Sequence, residues 1–286
     1  MIIKLRKNAT KEQFVRILEE IKSLGFECDV RRMYNDEEYA PLIGIKGDCS
    51  SLDPREFEKF DGVTDVKKLS GVPYKHASLE YQPNRSIIKV GDVSIGGENP
   101  LVFIAGPCAV ESEEQILRLA NEVKNAGAKI LRGGAWKPRK DVKTFDGLKE
   151  KGLELLIRAR ELTGLPFVTE VVDTRDVELI GEKADMFQVG SKNMDNEALL
   201  NELGRHYKPV LLKRGFGATI EEFLYAADRI MHHGNENVIL CLRGIRTFDS
   251  STRYTYDIGS LPVLRQLTHL PIVVDPSHAA GKRNLV

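Results

Sequence analysis

The stretch that decides the fold runs from Leu101 to Arg139 and reads LVFIAGPCAVESEEQILRLANEVKNAGAKILRGGAWKPR. It begins with an apolar run that stops at Gly106-Pro107-Cys108 and continues as an amphipathic helical pattern from Glu113 to Asn125. A second apolar run, Lys129 to Leu131, follows. This order predicts a strand, a helix and a parallel strand, which form the βαβ unit of α/β proteins. A thiol and several basic side chains then follow the carboxyl ends of the two strands, where such folds bind ligands.

Strand and helix signals alternate from this unit to the end of the sequence. Five further strands are predicted, at residues 167–170, 186–189, 210–213, 238–241 and 272–275. Helical patterns lie between them, near residues 152–162, 174–182, 196–203, 219–232 and 259–267. Alternation this regular over seven strands favours an α/β fold of the (β/α)8 TIM barrel type over a doubly wound sheet. The pattern has no eighth strand, so we expect either a fragment of a longer chain or another element that closes the sheet.

Residues 1–71 follow a different pattern and are predicted to form a small α+β domain. Strands at 1–5, 28–33, 42–46 and 63–69, with helices at 12–24 and 53–60, have the ferredoxin-like order βαββαβ. No cluster of reactive side chains occurs in this part, so we expect a regulatory or oligomerising role. Residues 72–85, which include Pro73 and Pro83, are predicted as a linker to a catalytic domain at 86–286. That domain opens with a short hairpin at 87–95.

Composition argues against several classes of protein. Lys plus Arg and Asp plus Glu both number 42, so no net charge would attract the chain to nucleic acid or to a membrane. The sequence has no signal-peptide pattern at its start and no apolar run of the roughly 20 residues that a membrane span needs. Its four cysteines are widely separated, which argues against a disulfide framework. We therefore expect a soluble, cytoplasmic protein that binds neither nucleic acid nor membranes.

Basic side chains recur at the predicted carboxyl ends of the strands. Taken alone, each of these residues would more often be a solvated surface residue than part of a binding site. As a set they predict an anion site, because the strand ends of a barrel meet at one face, where uncompensated cations repel each other. We therefore expect a phosphorylated or carboxylated substrate. The side chains are Arg132, Lys137, Arg139, Lys192, Lys213, Arg214, Arg243 and Arg246.

Cys108 and His278 are far apart in the sequence but lie at the ends of the first and seventh predicted strands. Across a barrel mouth those two ends would be close together. Thiolate and imidazole are a partial ligand set for Zn²⁺, Fe²⁺ or a similar divalent metal. Two other interpretations stay open, a pair of structural side chains or a Cys/His nucleophile pair. A metal site would need two more ligands, for which we expect carboxylates.

Five segments together resemble the 3-deoxy-D-arabino-heptulosonate 7-phosphate (DAHP) synthase family, in the branch with a ferredoxin-like N-terminal domain. They are IAGPC at 104–108, LRGGAWKPR at 131–139, LKRG at 212–215, RGIRTF at 243–248 and DPSH at 275–278. The resemblance implies a transferase that condenses phosphoenolpyruvate with erythrose 4-phosphate, the first step of the shikimate pathway to aromatic amino acids. It also implies a divalent metal (Mn, Fe, Zn or Co), a homotetramer, and inhibition by tyrosine or phenylalanine through the N-terminal domain.

The same resemblance implies roles for individual residues. Cys108 and His278 match two of four metal ligands, and the other two, a Glu and an Asp, lie in the family beyond the end of this sequence. Lys137 lies between the two phosphate-binding groups and is the candidate for proton transfer to the new hydroxyl group. The positions that match the family's phosphoenolpyruvate site are Arg132, Lys137, Lys213, Arg243 and Lys192, the last standing where the family usually has arginine.

The sequence specifies the aldose substrate less clearly than it specifies phosphoenolpyruvate. Arg139 matches a family position that holds the aldose phosphate, but Lys140 and Asp141 stand where Thr and Ser usually follow. A sister enzyme that uses another sugar phosphate, such as arabinose 5-phosphate, therefore stays open. So does a non-catalytic sensor of aromatic amino acids, which the missing metal ligands favour. A third interpretation, a truncated copy of a working enzyme, best explains the abrupt end of the sequence.

Overall fold

The structure of the chain is a computed structural model, which describes residues 1–6, 8–32, 41–47, 49, 52–68, 72–137, 143 and 145–286. The chain divides into two compact units, Met1–Lys75 and His76–Val286. None of the helices in the described part is long and apolar enough to cross a membrane.

The first unit is a four-stranded antiparallel sheet with two helices. Its elements are β1 (Ile2–Leu5), α1 (Lys11–Ser23), β2 (Cys28–Arg32), β3 (Pro41–Ile45), α2 (Pro54–Glu58) and β4 (Val63–Lys67). The strand order β2-β3-β1-β4 confirms the predicted ferredoxin-like arrangement. Helix α1 begins at a capping box, in which the Thr10 hydroxyl and the Gln13 side chain each accept the other residue's backbone N–H. Its buried face, Ile17 and Ile21, joins Ile3, Leu5, Ile43 and Phe57 in the core of this unit.

Fourteen of the elements that the second unit forms in its described residues are its nine strands and its first five α-helices. In chain order they are β5 (Ile87–Val90), β6 (Val93–Gly96), β7 (Ile104–Ala105), α3 (Glu113–Asn125), β8 (Ile130–Arg132), α4 (Glu150–Thr163), β9 (Phe167–Val171), α5 (Val177–Lys183), β10 (Met186–Val189), α6 (Glu197–Leu203), β11 (Val210–Lys213), α7 (Ile220–His232), β12 (Val238–Leu242) and β13 (Ile272–Val274). Two more helices flank β13, namely α8 (Ser260–Leu267) and α9 (Pro276–Ala280).

A curled parallel sheet of seven strands organises this unit, in the order β13-β12-β11-β10-β9-β8-β7. Each strand pairs with its sequence neighbour, and each such pair is parallel. This confirms the predicted α/β fold and its seven strands. Strands β9 to β12 are buried along their whole length, which is why apolar residues predominate in them.

The antiparallel hairpin β5–β6 closes the amino-terminal end of the sheet. Its side chains Ile88, Val90 and Ile95 pack into one buried cluster with residues from the first positions of several strands. Those residues are Ile130, Val168, Met186, Leu211 and Ile239, and Cys241 from farther along β12 joins the same cluster. Because apolar side chains fill this end, polar chemistry is left to the carboxyl ends of the strands.

The first strand is shorter than the sequence predicts. The apolar run 101–105 forms a strand only at Ile104–Ala105. Leu101 is 79% exposed and Phe103 is 61% exposed. The reason is that β7 lies at an edge of the sheet and, among the described strands, pairs with β8 alone, so the residues before it are not enclosed.

Residues 76–86, most of which the sequence assigns to a linker, belong to the second unit and are held by the segment before β13. His269 is 2% exposed, and its Nε2 lies 2.7 Å from the carbonyl oxygen of His76. Its Nδ1 lies 2.7 Å from the Ser86 hydroxyl. Because a carbonyl oxygen can only accept, Nε2 carries the proton and Nδ1 accepts from Ser86, which describes a neutral ring. Burial lowers the pKa of His269 to about 4, although the hydrogen bond to His76 opposes this shift.

This neutral histidine predicts a loss of stability in mild acid. The unfolded chain takes up the proton as pH falls below about 6.5, whereas the folded chain resists it until pH 4 is approached. Between pH 7.5 and pH 5 the free energy of unfolding should therefore fall by about 2 kcal/mol more in the wild type than in His269→Gln. Urea unfolding at both pH values measures the difference. An equal fall in the two proteins would contradict the prediction.

Candidate active site

The loops after β7 and β8 meet because of one glycine. Gly106 has φ +145°, and a Cβ at this position would lie 2.1 Å from the carbonyl oxygen of Arg132. Only glycine permits this approach. The contact places Cys108, in the first loop, beside Lys137, in the second.

Cys108 lies between two groups that stabilise its thiolate. Its Sγ is 3.7 Å from His278 Nε2 and 2.7 Å from Lys137 Nζ. The hydrogen bond with His278 does most to lower the pKa of Cys108, to about 5. Burial opposes the shift, while Lys137 and the charge of Arg132 add to it. The sulfur is therefore a thiolate at neutral pH, the form in which cysteine binds metals and attacks electrophiles.

Asp275 orients the imidazole of His278 and joins it to Lys213. The carboxylate precedes α9, where Oδ1 accepts the backbone N–H of His278 at 3.0 Å. Its Oδ2 lies 2.7 Å from His278 Nδ1 and 2.8 Å from Lys213 Nζ. Burial by itself would raise the pKa of Asp275, but the bond with His278 and the charge of Lys213 hold it well below its usual range. The carboxylate thus stays ionised and turns Nε2 of His278 toward the thiolate.

Glu170, at the end of β9, is a buried carboxyl group that sequence reasoning left out of the site. Burial raises its pKa, against the charges of Lys137, Lys213 and Arg132. One oxygen accepts a hydrogen bond of 3.3 Å from Gln188. The other occupies the space beside Gly190, where a Cβ would come within 2.1 Å of it. The position of Glu170 at a strand end was the available signal, but its surroundings are visible only in the structure.

The predicted basic residues fall into several groups. Lys213 is 5% exposed, and Arg132 is half-buried near Cys108 and Glu170. Lys192 lies exposed in the loop after β10. Arg139, with Lys140 and Asp141, is outside the described residues.

Arg214 was predicted as part of the cationic set, and the structure gives it a different environment. Its Nη1 bonds to the Asp257 carboxylate at 3.0 Å and to the Ser260 hydroxyl at 2.9 Å. Its Nε donates to the carbonyl oxygen of Ala218 at 2.9 Å. These bonds connect the loop after β11 to the start of α8, so Arg214 stabilises the fold around the site.

Arg243, after β12, differs from Arg214 in its partners. It is 5% exposed, and its Cζ lies 4.8 Å from the ring centroid of Phe216 and 4.3 Å from that of Tyr254. Its Nε and Nη1 are buried and have no hydrogen-bond partner in the described part of the chain. Burial lowers the pKa of Arg243, and Tyr254 and Asp275 oppose that shift.

The thiol and imidazole fit a divalent metal. A tetrahedral Zn²⁺ bound about 2.3 Å from sulfur and about 2.1 Å from nitrogen separates the two atoms by about 3.6 Å. Cys108 Sγ and His278 Nε2 are 3.7 Å apart. The carboxylate on Nδ1 matches the usual support of a metal-binding histidine. Within the described residues, no group of three or more His, Cys, Asp and Glu side chains is arranged to hold a metal, so a metal at this pair would need further ligands.

Comparison with known proteins gives a consistent picture for both units. Residues 75–286 match the DAHP synthetase I family, and residues 1–71 match the DAHP synthase ferredoxin-like domain. A phospho-2-dehydro-3-deoxyheptonate aldolase of Thermotoga maritima is 42% identical over 286 residues, which cover 100% of this chain and 83% of that protein. A 2-dehydro-3-deoxyphosphooctonate aldolase of Syntrophotalea carbinolica is 32% identical over 199 residues, 67% of this chain and 71% of that protein.

A solved structure shows the same relation. The crystal structure of the Thermotoga maritima DAHP synthase superposes with a TM-score of 0.73 at 42% identity. The match covers 99% of this chain and 82% of that one.

The lowered pKa of Cys108 predicts selective alkylation of this thiol. At pH 6 a thiol of pKa about 5 is mostly ionised, whereas an ordinary thiol of pKa about 8.5 is almost entirely protonated. Allowing for the weaker nucleophilicity of an acidic thiolate, iodoacetamide should modify Cys108 roughly ten times faster than an ordinary thiol. Peptide mapping by mass spectrometry of chelator-treated protein measures the rate at each cysteine.

The pH dependence of the Cys108 rate and the rates at the other cysteines provide controls for this experiment. The Cys108 rate should fall as pH drops below 5, where the thiolate is protonated. Cys241 should stay unmodified, because burial raises its pKa to about 11. Faster modification of Cys28 than of Cys108 at pH 6 would contradict the assignment.

Proposed function

Because the chain belongs to the DAHP synthetase I family, we propose that it condenses phosphoenolpyruvate with erythrose 4-phosphate and water to give DAHP and phosphate. The observation that carries this proposal is the match over both units to an enzyme of that name, at 42% identity along the whole chain. The site is consistent with this chemistry, since it combines a thiolate–imidazole pair with buried cations at the carboxyl ends of the strands.

Phosphoenolpyruvate carries a phosphate and a carboxylate, and the proposed binding groups carry the opposite charge. Lys213 and Arg243 are buried, and Arg132 and Lys137 are half-buried around Cys108. Arg243 has two buried N–H nitrogens that a ligand oxygen would satisfy. Lys192 would add a point charge from the loop after β10. Arg139 is proposed to hold the phosphate of the aldose.

In the proposed reaction, carbon 3 of phosphoenolpyruvate forms a bond to the aldehyde carbon of erythrose 4-phosphate. The aldehyde oxygen gains a proton and becomes a hydroxyl group. A water oxygen adds to carbon 2 of phosphoenolpyruvate, and inorganic phosphate leaves from the same carbon, so that a ketone remains. Fixed cations align the two anions and stabilise the charge that develops during the reaction. Lys137 is the proposed donor of the proton to the new hydroxyl group.

The proposed cofactor is a divalent metal, Mn, Fe, Zn or Co, held by Cys108 Sγ and His278 Nε2. Such a metal acts as a Lewis acid toward a carbonyl oxygen. Soft thiolate and imidazole ligands accept several of these ions. Asp275 would keep the imidazole in the orientation that metal binding requires.

The N-terminal unit is the proposed regulatory part. It has its own buried core and matches the ferredoxin-like domain of DAHP synthases. We propose that it mediates inhibition by tyrosine or phenylalanine and that the chain forms a homotetramer, as the family resemblance implies. A cytoplasmic location agrees with the biosynthetic activity and with the reduced thiols.

One observation supports a second sugar phosphate as a candidate substrate. Octonate-phosphate aldolases are about 30% identical to two thirds of this chain. Arabinose 5-phosphate is therefore the second candidate aldose. The full-length match to a heptonate aldolase favours erythrose 4-phosphate.

Assays of both aldoses side by side test the proposed substrate. With phosphoenolpyruvate and Mn²⁺, we expect phosphate release with erythrose 4-phosphate to be at least about tenfold faster than with arabinose 5-phosphate. Cys108→Ser, which replaces a metal-binding thiolate by a hydroxyl group, should lose both bound metal and turnover. Faster turnover of arabinose 5-phosphate would favour the sister reaction. Absence of both turnover and bound metal would favour a sensor.

Lys137→Met tests the proposed proton donor, since methionine keeps the length of the side chain without its charge. The substitution should lower kcat by about 100-fold or more, the usual contribution of a positioned general acid. The matched control is Lys124→Met, at an exposed position in the last turn of α3, just before the amino-terminal end of β8, which should retain wild-type rates. Near-normal activity of Lys137→Met would exclude the role.

A further inference from the structure

The guanidinium of Arg243 lies against a pair of stacked aromatic rings. The rings of Phe216 and Tyr254 have centroids 5.0 Å apart and planes 16° from parallel. Both centroids are within 5 Å of Arg243 Cζ, at 4.8 Å and 4.3 Å. A cation at these distances is attracted to the negative faces of the rings.

This environment stabilises a buried charge and leaves two of its hydrogen-bond donors, Nε and Nη1, without a partner in the described part of the chain. Arg214, at the end of the preceding strand, uses Nε and Nη1 on a carboxylate, a hydroxyl and a carbonyl group. Arg243 is buried to a similar degree, yet its Nε and Nη1 have no such partner among the described residues. An unsatisfied buried donor costs free energy until an acceptor arrives. The two arginines thus differ in that one is committed to the fold and the other is available to a ligand.

The aromatic pair is itself held by the loops of three successive strands. The carbonyl oxygen of Phe216, after β11, accepts the backbone N–H of Arg246 at 2.7 Å. Ile245 and Thr255 form an antiparallel bridge across the loop after β12. Tyr254 donates its backbone N–H to Ala279, in α9, at 2.9 Å. The rings therefore have fixed positions relative to the carboxyl ends of β11, β12 and β13.

We propose that Phe216 and Tyr254 are positioning residues for phosphoenolpyruvate, because their ring faces hold Arg243 with Nε and Nη1 available to the anion. This inference rests on the proposed function and adds two residues to it. The faces of the two rings are the groups proposed to position Arg243. The hydroxyl group of Tyr254 also hydrogen-bonds to Arg243, so Tyr254→Phe separates its contribution from that of the ring.

Calorimetric titration of phosphoenolpyruvate into the full chain tests the inference without depending on turnover. Tyr254→Leu should raise the Kd roughly tenfold, the loss expected when a desolvated cation–π contact is removed. Phe216→Leu should have a similar effect from the other ring. Tyr254→Phe, which retains the ring, should bind within about twofold of the wild type. Tyr207→Leu is the matched control, because Tyr207 is 89% exposed and lies before β11, so its Kd should equal that of the wild type.

The outcomes separate this inference from the proposed function. If the wild type binds phosphoenolpyruvate and both folded leucine variants bind equally well, the positioning role is overturned and the proposed function stands. The positioning role is also overturned if Tyr254→Phe loses as much affinity as Tyr254→Leu, since the hydroxyl group and not the ring would then account for the loss. Should thermal melting show that Tyr254→Leu is unfolded, Phe216→Leu decides. Absence of binding to the wild type would overturn the proposed function, and this inference with it.

Discussion

The rest of the site depends on one buried carboxylate, that of Asp275. It accepts hydrogen bonds from Lys213 Nζ at 2.8 Å and from His278 Nδ1 at 2.7 Å. Without it, the buried Lys213 ammonium would lose the counter-charge that lies 2.8 Å from it, which is strongly unfavourable. His278 would also lose the contact that turns Nε2 toward Cys108 Sγ. A single side chain thus connects the ends of β11 and β13 to the thiolate after β7, and it makes the pairing of thiolate and imidazole a consequence of the fold.

Two kinds of neighbouring group stabilise the positively charged side chains that lie together in the site. Around Cys108 the charges of Arg132, Lys137 and Lys213 are offset by ionised or ionisable acids, which include the thiolate and Asp275. Around Arg243 the charge is met by aromatic faces, which attract a cation but accept none of its N–H groups in the way a carboxylate does. The first arrangement suits a metal and a proton donor. The second suits an anionic ligand, because the donors stay available.

The fold separates structural stability from chemistry along the axis of the sheet. Apolar residues of the β5–β6 hairpin fill the amino-terminal end of the sheet, and strands β9 to β12 are buried along their whole length. Polar and charged side chains are concentrated at the carboxyl ends, in loops that tolerate them. Close backbone contacts such as that of Gly106 with Arg132 then bring neighbouring loops together. This division lets one rigid sheet hold reactive groups from distant parts of the chain.

The sequence by itself determined the class of fold, the order of the elements and the pairing of Cys108 with His278. It did so because burial on both faces of a strand leaves a mostly apolar run, and because the strand ends of a parallel sheet meet at one edge. It did not distinguish Arg214 from Arg243, which follow neighbouring strands and look alike in the sequence. Nor did it reveal the exposure of Leu101 and Phe103 or the aromatic pair at Arg243. Periodicity reports which backbone segments are buried, whereas the partners of a side chain come from loops far away in the chain, and only tertiary packing decides them.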